Sequence, residues 1–293
     1  MKKLIQRLSA GETLICDGAM GTALQARGLQ PGECPELWCV DQPEKVREVH
    51  RLYRDAGSDL VECNSFGGSR WKLEQHGLGE RTVELNRRAA ELAREVAGTD
   101  QYVLGSVGPT GEFMQPLGLR TEEEFQEVFT EQINALQEGG ADAVILETMT
   151  ALEEIQAAAR AALDNGKLTV IASFTFDPEE GGKYATMMGV RPADFARAMK
   201  QAGVHVIGSN CGTGPDDMVN IMRQMHEAVP DMPLMAMPNA GMPVMENGET
   251  VFKQTPEEMA AHVPELIDAG ARILGGCCGT TPEHIRALRN ALA

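Results

Sequence analysis

Eight short apolar runs, each followed by a longer amphipathic stretch, divide the chain from end to end, and few architectures accommodate that alternation. The runs cover residues 14–17, 59–64, 102–107, 143–147, 168–174, 205–210, 234–237 and 272–275. Four are fed by a helix-ending glycine in one rhythm: Ala56-Gly57-Ser58-Asp59, Gly139-Gly140-Ala141-Asp142, Ala202-Gly203-Val204-His205 and Ala269-Gly270-Ala271-Arg272. Glycine adopts the left-handed conformation that closes a helix, so each repeat reads as a helix C-cap running into a buried strand. Segments 43–56, 79–97, 121–138, 152–163, 192–202, 215–229, 256–269 and 282–292 carry apolar residues at three-to-four spacing, and five of them open on proline. Thr121-Glu122-Glu123-Glu124 resembles a capping box with negative charge at the helix start.

Eight βα units in 293 residues predict one α/β domain over residues 1–293, a single (β/α)8 TIM barrel with no internal linker. A doubly wound open sheet is the alternative that strand counting leaves open. The irregular segments 28–42, 108–119, 177–191 and 239–253 each follow a strand. In a barrel they would lie over the C-terminal mouth, where active sites form.

Charge narrows the choice of partners. Lys and Arg total 26 against 43 Asp and Glu, and the net charge of −17 repels phosphate backbones and anionic headgroups. Nucleic acid and membrane are therefore not expected partners. No run approaches the roughly 20 apolar residues that span a bilayer, and Gln6, Arg7 and Glu12 interrupt any secretory segment after the basic start. The expected location is cytoplasmic. Seven cysteines, an odd number in a chain too long to need disulfide staples, are then reduced thiols available for metal binding or catalysis.

Polar residues collect at the C-terminal ends of the predicted strands: Asp17, Glu62 with Asn64, Glu147, Asn210 with Cys211, Asn239, and Cys277 with Cys278. A barrel would bring them to one mouth. Adjacent side chains on an extended strand point to opposite faces, so Cys277 and Cys278 reach one ion only if the chain bends there, and the flanking Gly275, Gly276 and Gly279 permit the bend. Cys211 ends the sixth strand and offers a third thiol. Three thiolates with an open fourth position form a catalytic zinc arrangement that suits a thiol substrate.

Plainer readings stand beside this one. Buried cysteine commonly serves as a small hydrophobe, the role favoured for Cys16 and Cys63, and Cys277 with Cys278 could form a vicinal disulfide. Cys34 and Cys39 have no nearby partners in sequence. Of the histidines, His50, His226, His262 and His284 fall on predicted outer helix faces, His76 in a loop and His205 at a strand start, and none is assigned to the site. Glu147 closes the apolar run Val144-Ile145-Leu146, and Asp17 stands in Cys16-Asp17-Gly18-Ala19-Met20-Gly21. Carboxylates so placed need a ligand cation or a structural ion pair. No dinucleotide or Walker fingerprint occurs.

The chain closely resembles the homocysteine S-methyltransferase family, and within it the homocysteine-binding module of cobalamin-dependent methionine synthases. The resemblance rests on Asp17-Gly18-Ala19-Met20-Gly21-Thr22, Asn64-Ser65-Phe66-Gly67, the 105–111 and 115–118 segments, Asn210-Cys211-Gly212, Pro238-Asn239-Ala240-Gly241 and the 275–282 segment. It implies a (β/α)8 barrel with catalytic zinc on Cys211, Cys277 and Cys278, transferring a methyl group to the thiol of L-homocysteine to give methionine. It also implies that Asp17 and Glu147 hold the homocysteine amino group, that backbone near Gly18 and Ala19 meets its carboxylate, that Asn64 belongs to the substrate pocket, and that Asn239 fills the fourth zinc position when substrate is absent. Cys63 stands where the pattern has threonine, and Gly212 where serine is commoner.

The resemblance stops at the barrel, without the folate, cobalamin and reactivation modules of the large synthases. Gly279 after the cysteine pair and the Gly-Pro-Thr-Gly loop look like the cobalamin-linked branch, and a chain with two Trp and three Tyr is poor in rings for a betaine cage. The expected donor is therefore methylcobalamin, free or on a separate corrinoid protein. S-methylmethionine, S-adenosylmethionine and betaine are alternatives, and a non-catalytic zinc-binding subunit of a methyltransferase assembly is the reading of another class.

Overall fold

Each predicted apolar run is a strand in the computed structural model, which describes residues 3–246 and 249–292. The strands are β1 (Leu14–Ile15), β2 (Leu60–Glu62), β3 (Tyr102–Val107), β4 (Ala143–Met149), β5 (Thr169–Phe174), β6 (Val206–Asn210), β7 (Leu234–Met237) and β8 (Ala271–Leu274). They pair in parallel in the order β1-β8-β7-β6-β5-β4-β3-β2. This is the (β/α)8 barrel and not the open sheet, because the two end strands also meet. Asp59 donates its backbone N–H to the Ile15 carbonyl at 2.6 Å and accepts the Ile15 N–H on Oδ2 at 2.9 Å. Higher on the same seam, Asp17 Oδ2 accepts the Glu62 N–H at 2.9 Å.

Alternation along the strands divides the apolar residues into two cores. Leu14, Leu60, Tyr102, Leu104, Ile145, Ile171, Val206, Met235 and Ile273 point inward and fill the lumen. Their neighbours, such as Val61, Val103, Val144, Val170 and Ile207, point outward and are covered by the helices. A helix at Leu4–Ser9, which the sequence reading did not anticipate, inserts Leu4 and Leu8 beneath the lumen and closes its lower end.

The seam depends on one side chain. Asp59 also forms an ion pair with Arg289 of the last helix and lies 3.6 Å from Arg7. Asp59→Ala leaves the Ile15 amide without its acceptor and Arg289 without its carboxylate, while Arg7 keeps Glu12 at 2.7 Å. We expect it to lower unfolding free energy by about 1–3 kcal/mol in chemical denaturation.

Three expectations need correction. Segments 177–191 and 239–253 are not wholly irregular; they carry antiparallel ribbons, Asp177–Glu179 with Lys183–Ala185 and Val244–Glu246 with Glu249–Val251. The helix expected over 256–269 breaks into Pro256–Ala261 and Val263–Asp268, where Pro264 has no N–H to continue the ladder. Neither His50 nor His284 faces solvent. His284 is buried with Nε2 2.9 Å from the Gln254 carbonyl. His50 is fully buried with no hydrogen-bond partner on either ring nitrogen among the described residues, and burial lowers its pKa to about 4.

Candidate metal and substrate site

The three cysteines nominated from sequence meet at the mouth. Their sulfurs all lie within 4.8 Å of one another, and Cys211 Sγ and Cys278 Sγ are 3.8 Å apart. Two sulfurs at ~2.3 Å from a tetrahedral zinc would be separated by about 3.8 Å. The segment after β7 braces them. Cys211 N–H donates to the Met237 carbonyl (3.1 Å), Cys277 N–H to the Pro238 carbonyl (2.8 Å), and the Cys278 carbonyl accepts from Ala240 N–H (3.0 Å). The bend anticipated around the pair is present: Gly279 has φ +79°, and a Cβ there would lie 2.2 Å from the Phe252 ring. Cys211 itself holds the left-handed conformation, φ 60°, uncommon for a residue with a side chain.

The cluster is primed for a cation. Hydrogen bonds from Cys277 and Cys278 pull the Cys211 thiol pKa well below its ordinary value, while the same interactions with Cys211 push that of Cys277 up. Cys278 is raised as well, chiefly by Cys211. One thiolate thus forms readily and opposes the next two until a positive charge joins them. Beside the cluster, Asn239 hydrogen-bonds Cys211 while its buried Oδ1 has no partner. Three sulfurs within 4.8 Å of one another, one pair of them at tetrahedral spacing, and an orphaned oxygen fit a zinc ion.

Below the sulfurs, the lumen wall is acidic. Asp17, Glu62 and Glu147 converge there without an ion pair among the described residues, and burial raises all three: Asp17 to about 8, Glu147 to about 7, Glu62 well above its usual range. Glu147 sits at a bulge in β4, where the register against β5 slips between Leu146 and Met149 and Thr148 takes φ 58°. Asn210 holds that bulge. Its Oδ1 accepts Thr148 N–H (3.0 Å) and Ser173 Oγ–H (2.6 Å), and its Nδ2 donates to Thr148 Oγ1 (2.7 Å) and Glu147 Oε2 (3.2 Å). Ser106 Oγ donates to Glu147 Oε1.

The other nominated residues are close by. Gly18, Ala19 and Asn64 line the same cavity of about 370 Å3 as Glu147, Cys211, Cys277 and Cys278. The Ala19 N–H is taken by Thr280 Oγ1 (3.1 Å), and Asn64 Nδ2 ties the cavity to the covering segment through the Pro35 carbonyl (2.7 Å). Asp17 and Asn239 stand just behind the lining. Cys16 and Cys63 are buried, as expected of small hydrophobes; Cys34 contacts Glu36 and Cys39 the Asn64 carbonyl, and neither joins a metal-type cluster among the described residues. Sequence reasoning placed Glu62 at the mouth without a specific role and did not single out Ser106, Thr148 or Lys72; all four line the cavity. Ser106 could have been found from alternation, since it shares the inward phase of Tyr102 and Leu104 on its strand.

Comparison with known proteins came to the same place. Residues 14–292 match the family profile for homocysteine S-methyltransferase. The chain is 34% identical to the methionine synthase of Mycobacterium leprae over 100% of its own length and 25% of that protein, so it spans a quarter of this relative. It is 31% identical to betaine–homocysteine S-methyltransferase 1 of Danio rerio over 99% of its length and 75% of that protein. The metallated form of the homocysteine methyltransferase MmuM from Escherichia coli superimposes with a TM-score of 0.79 at 28% identity, covering 97% of this chain and 98% of that one.

Proposed function

This chain belongs to the homocysteine S-methyltransferase family, and from that premise we propose that it transfers a methyl group to the thiol of L-homocysteine, giving methionine. The observation that carries the reading is the meeting of three mutually close thiols with the carboxylate of Glu147 in one cavity, with Asp17 just behind its wall. Sulfur and ammonium, the two distinguishing groups of the substrate, each find a complementary set.

Cys211, Cys277 and Cys278 would hold zinc, with Asn239 beside them as the group displaced by substrate. When bound, zinc supplies the Lewis acidity that makes an alkyl thiol, ordinarily titrating near ~8.5, a thiolate at neutral pH. Asp17 and Glu147 orient the amino acid by its ammonium, and backbone at Gly18 receives its carboxylate. Asn210 and Ser106 fix the Glu147 carboxylate so that the substrate sulfur faces the open mouth. There it attacks the methyl carbon in line: the new carbon–sulfur bond forms as the donor bond breaks, and that bond's electron pair leaves with the donor.

For the donor we favour methylcobalamin, free or on a separate corrinoid protein. Phe66 is the one Phe, Tyr or Trp among the lining residues, and a single such ring does not surround a quaternary ammonium as betaine recognition commonly requires. S-methylmethionine and S-adenosylmethionine remain alternative donors, and a zinc-binding subunit without turnover is the reading of another class. Methionine formation measured in parallel with methylcobalamin, S-methylmethionine and betaine tests these readings. Turnover with methylcobalamin alone supports the corrinoid; turnover with S-methylmethionine or betaine and none with methylcobalamin reassigns the donor; none with any donor removes the activity.

Binding should depend on pH. With Asp17 raised to about 8 and Glu147 to about 7, the free pocket at neutral pH keeps most of the Asp17 proton and about half of the Glu147 proton. An incoming ammonium requires their ionised forms, so it displaces protons and binds more tightly as pH rises through 7 to 8. Calorimetry with L-2-aminobutyrate, which has the amino acid frame without the thiol, should show affinity rising from pH 6 to 8.5 with proton release. A flat profile would detach the carboxylates from ammonium binding. No helix among the described residues is long and apolar enough to cross a membrane, and a cytoplasmic site of action accords with the reduced thiols the reaction needs.

A further inference from the structure

The cavity is divided chemically. Its inner part is acidic and sulfur-rich, whereas its outer wall carries Phe66, Lys72 and His76. Lys72 is the one Lys or Arg among the lining residues. It lies on the short helix Arg70–Glu74 just beyond β2, four residues before His76. A Cβ on Gly111 would come 3.1 Å from its ammonium, so the loop after β3 leaves room for this group by having glycine there, at φ +84°. In a chain with net charge −17, where most arginines are in ion pairs, the Lys72 side chain makes no ion pair or hydrogen bond among the described residues. The carboxylate that feels its charge is Glu154, whose Oε1 already accepts both the N–H and the hydroxyl of Thr110 at 2.8 Å. A half-buried cation without a direct partner, in the wall of an otherwise acidic cavity, is a site for an anionic ligand group. The volume of about 370 Å3 lies in the range that takes ligands larger than one small amino acid.

We propose that Lys72 binds an oxyanion of the methyl donor, so that it contributes to donor affinity and not to homocysteine affinity. The inference rests on the methyl-transfer reading. The oxyanion has two sources, the phosphodiester of a complete corrinoid or the carboxylate of a small zwitterionic donor.

The test is steady-state kinetics of the metal-loaded wild type, Lys72→Met and Lys72→Arg. Each is assayed with methylcobalamin, with methylcobinamide, which lacks the phosphodiester, and with S-methylmethionine. Lys72→Met should raise the donor KM roughly tenfold or more, leave the homocysteine KM within about twofold, and be largely rescued by Lys72→Arg. A penalty present with methylcobalamin and absent with methylcobinamide identifies the phosphodiester; a penalty with S-methylmethionine identifies the carboxylate. Unchanged donor KM in every arm overturns the proposal, as does a rise confined to homocysteine. A lowered melting temperature with both KM values raised together also overturns it, by showing that Lys72 only braces Glu154 and its loop. No wild-type turnover with any donor would remove the methyl-transfer reading itself, and the role of Lys72 with it.

Discussion

Replacing Cys211, Cys277 or Cys278 by serine is expected to reduce bound zinc from one per chain to a small fraction and methionine formation by on the order of a thousandfold or more. Each sulfur is one of three within 4.8 Å of one another, and serine presents a hard, weakly acidic hydroxyl in place of a thiolate. Loss of the metal removes several kcal/mol of assistance to thiol ionisation, and each ~1.4 kcal/mol is a tenfold change in rate. The fold should survive, because none of the three side chains belongs to either packed core. Metal analysis alongside circular dichroism reads both outcomes. Full zinc retention by all three variants would dissolve the proposed centre.

Glu147→Gln is expected to weaken homocysteine binding roughly tenfold or more while leaving zinc content unchanged. The carboxylate is buried, faces the cavity and makes no ion pair among the described residues. Its hydrogen bonds from Ser106 and Asn210 orient it, and the amide oxygen of glutamine retains only part of that frame. Losing a charge-assisted hydrogen bond typically costs ~1.5–3 kcal/mol. A calorimetric affinity equal to the wild type would leave Glu147 a structural role beneath the sulfurs.

Much of this was legible in the chain itself, for identifiable reasons. All eight strands were visible because parallel strands buried on both faces are apolar throughout, and glycine marks where several of the helices deliver them. Cys211, Cys277 and Cys278 were legible because glycine flanks them at strand ends. The bulge at Glu147 and Thr148 was not: it is a mismatch of register between β4 and β5, a property of two strands that neither one encodes alone. Asn210 is similar, since its work depends on Thr148 and Ser173 from neighbouring strands. The Leu4–Ser9 helix escaped notice because a six-residue helix has no periodicity to read, and only the lumen above explains Leu4 and Leu8. Lys72 could not be singled out among the chain's cations before its lack of a partner was known.

The closure at Asp59 has a consequence for how such a barrel is joined to anything else. Arg289 reaches Gly57 and Asp59 at the start of β2, and Leu4 packs under the lumen, so the first and last described helices both reach the end of the barrel opposite the sulfurs. A module fused after the last helix, Pro282–Ala291, would start at the wrong pole. Its tether must climb at least the helix's own ~15 Å, or roughly five extended residues, before it can reach the rim. Tether length then sets the local concentration of a delivered group: too short forbids engagement, and excess length dilutes it. In an engineered fusion, linker length would therefore tune turnover with no residue of the pocket altered.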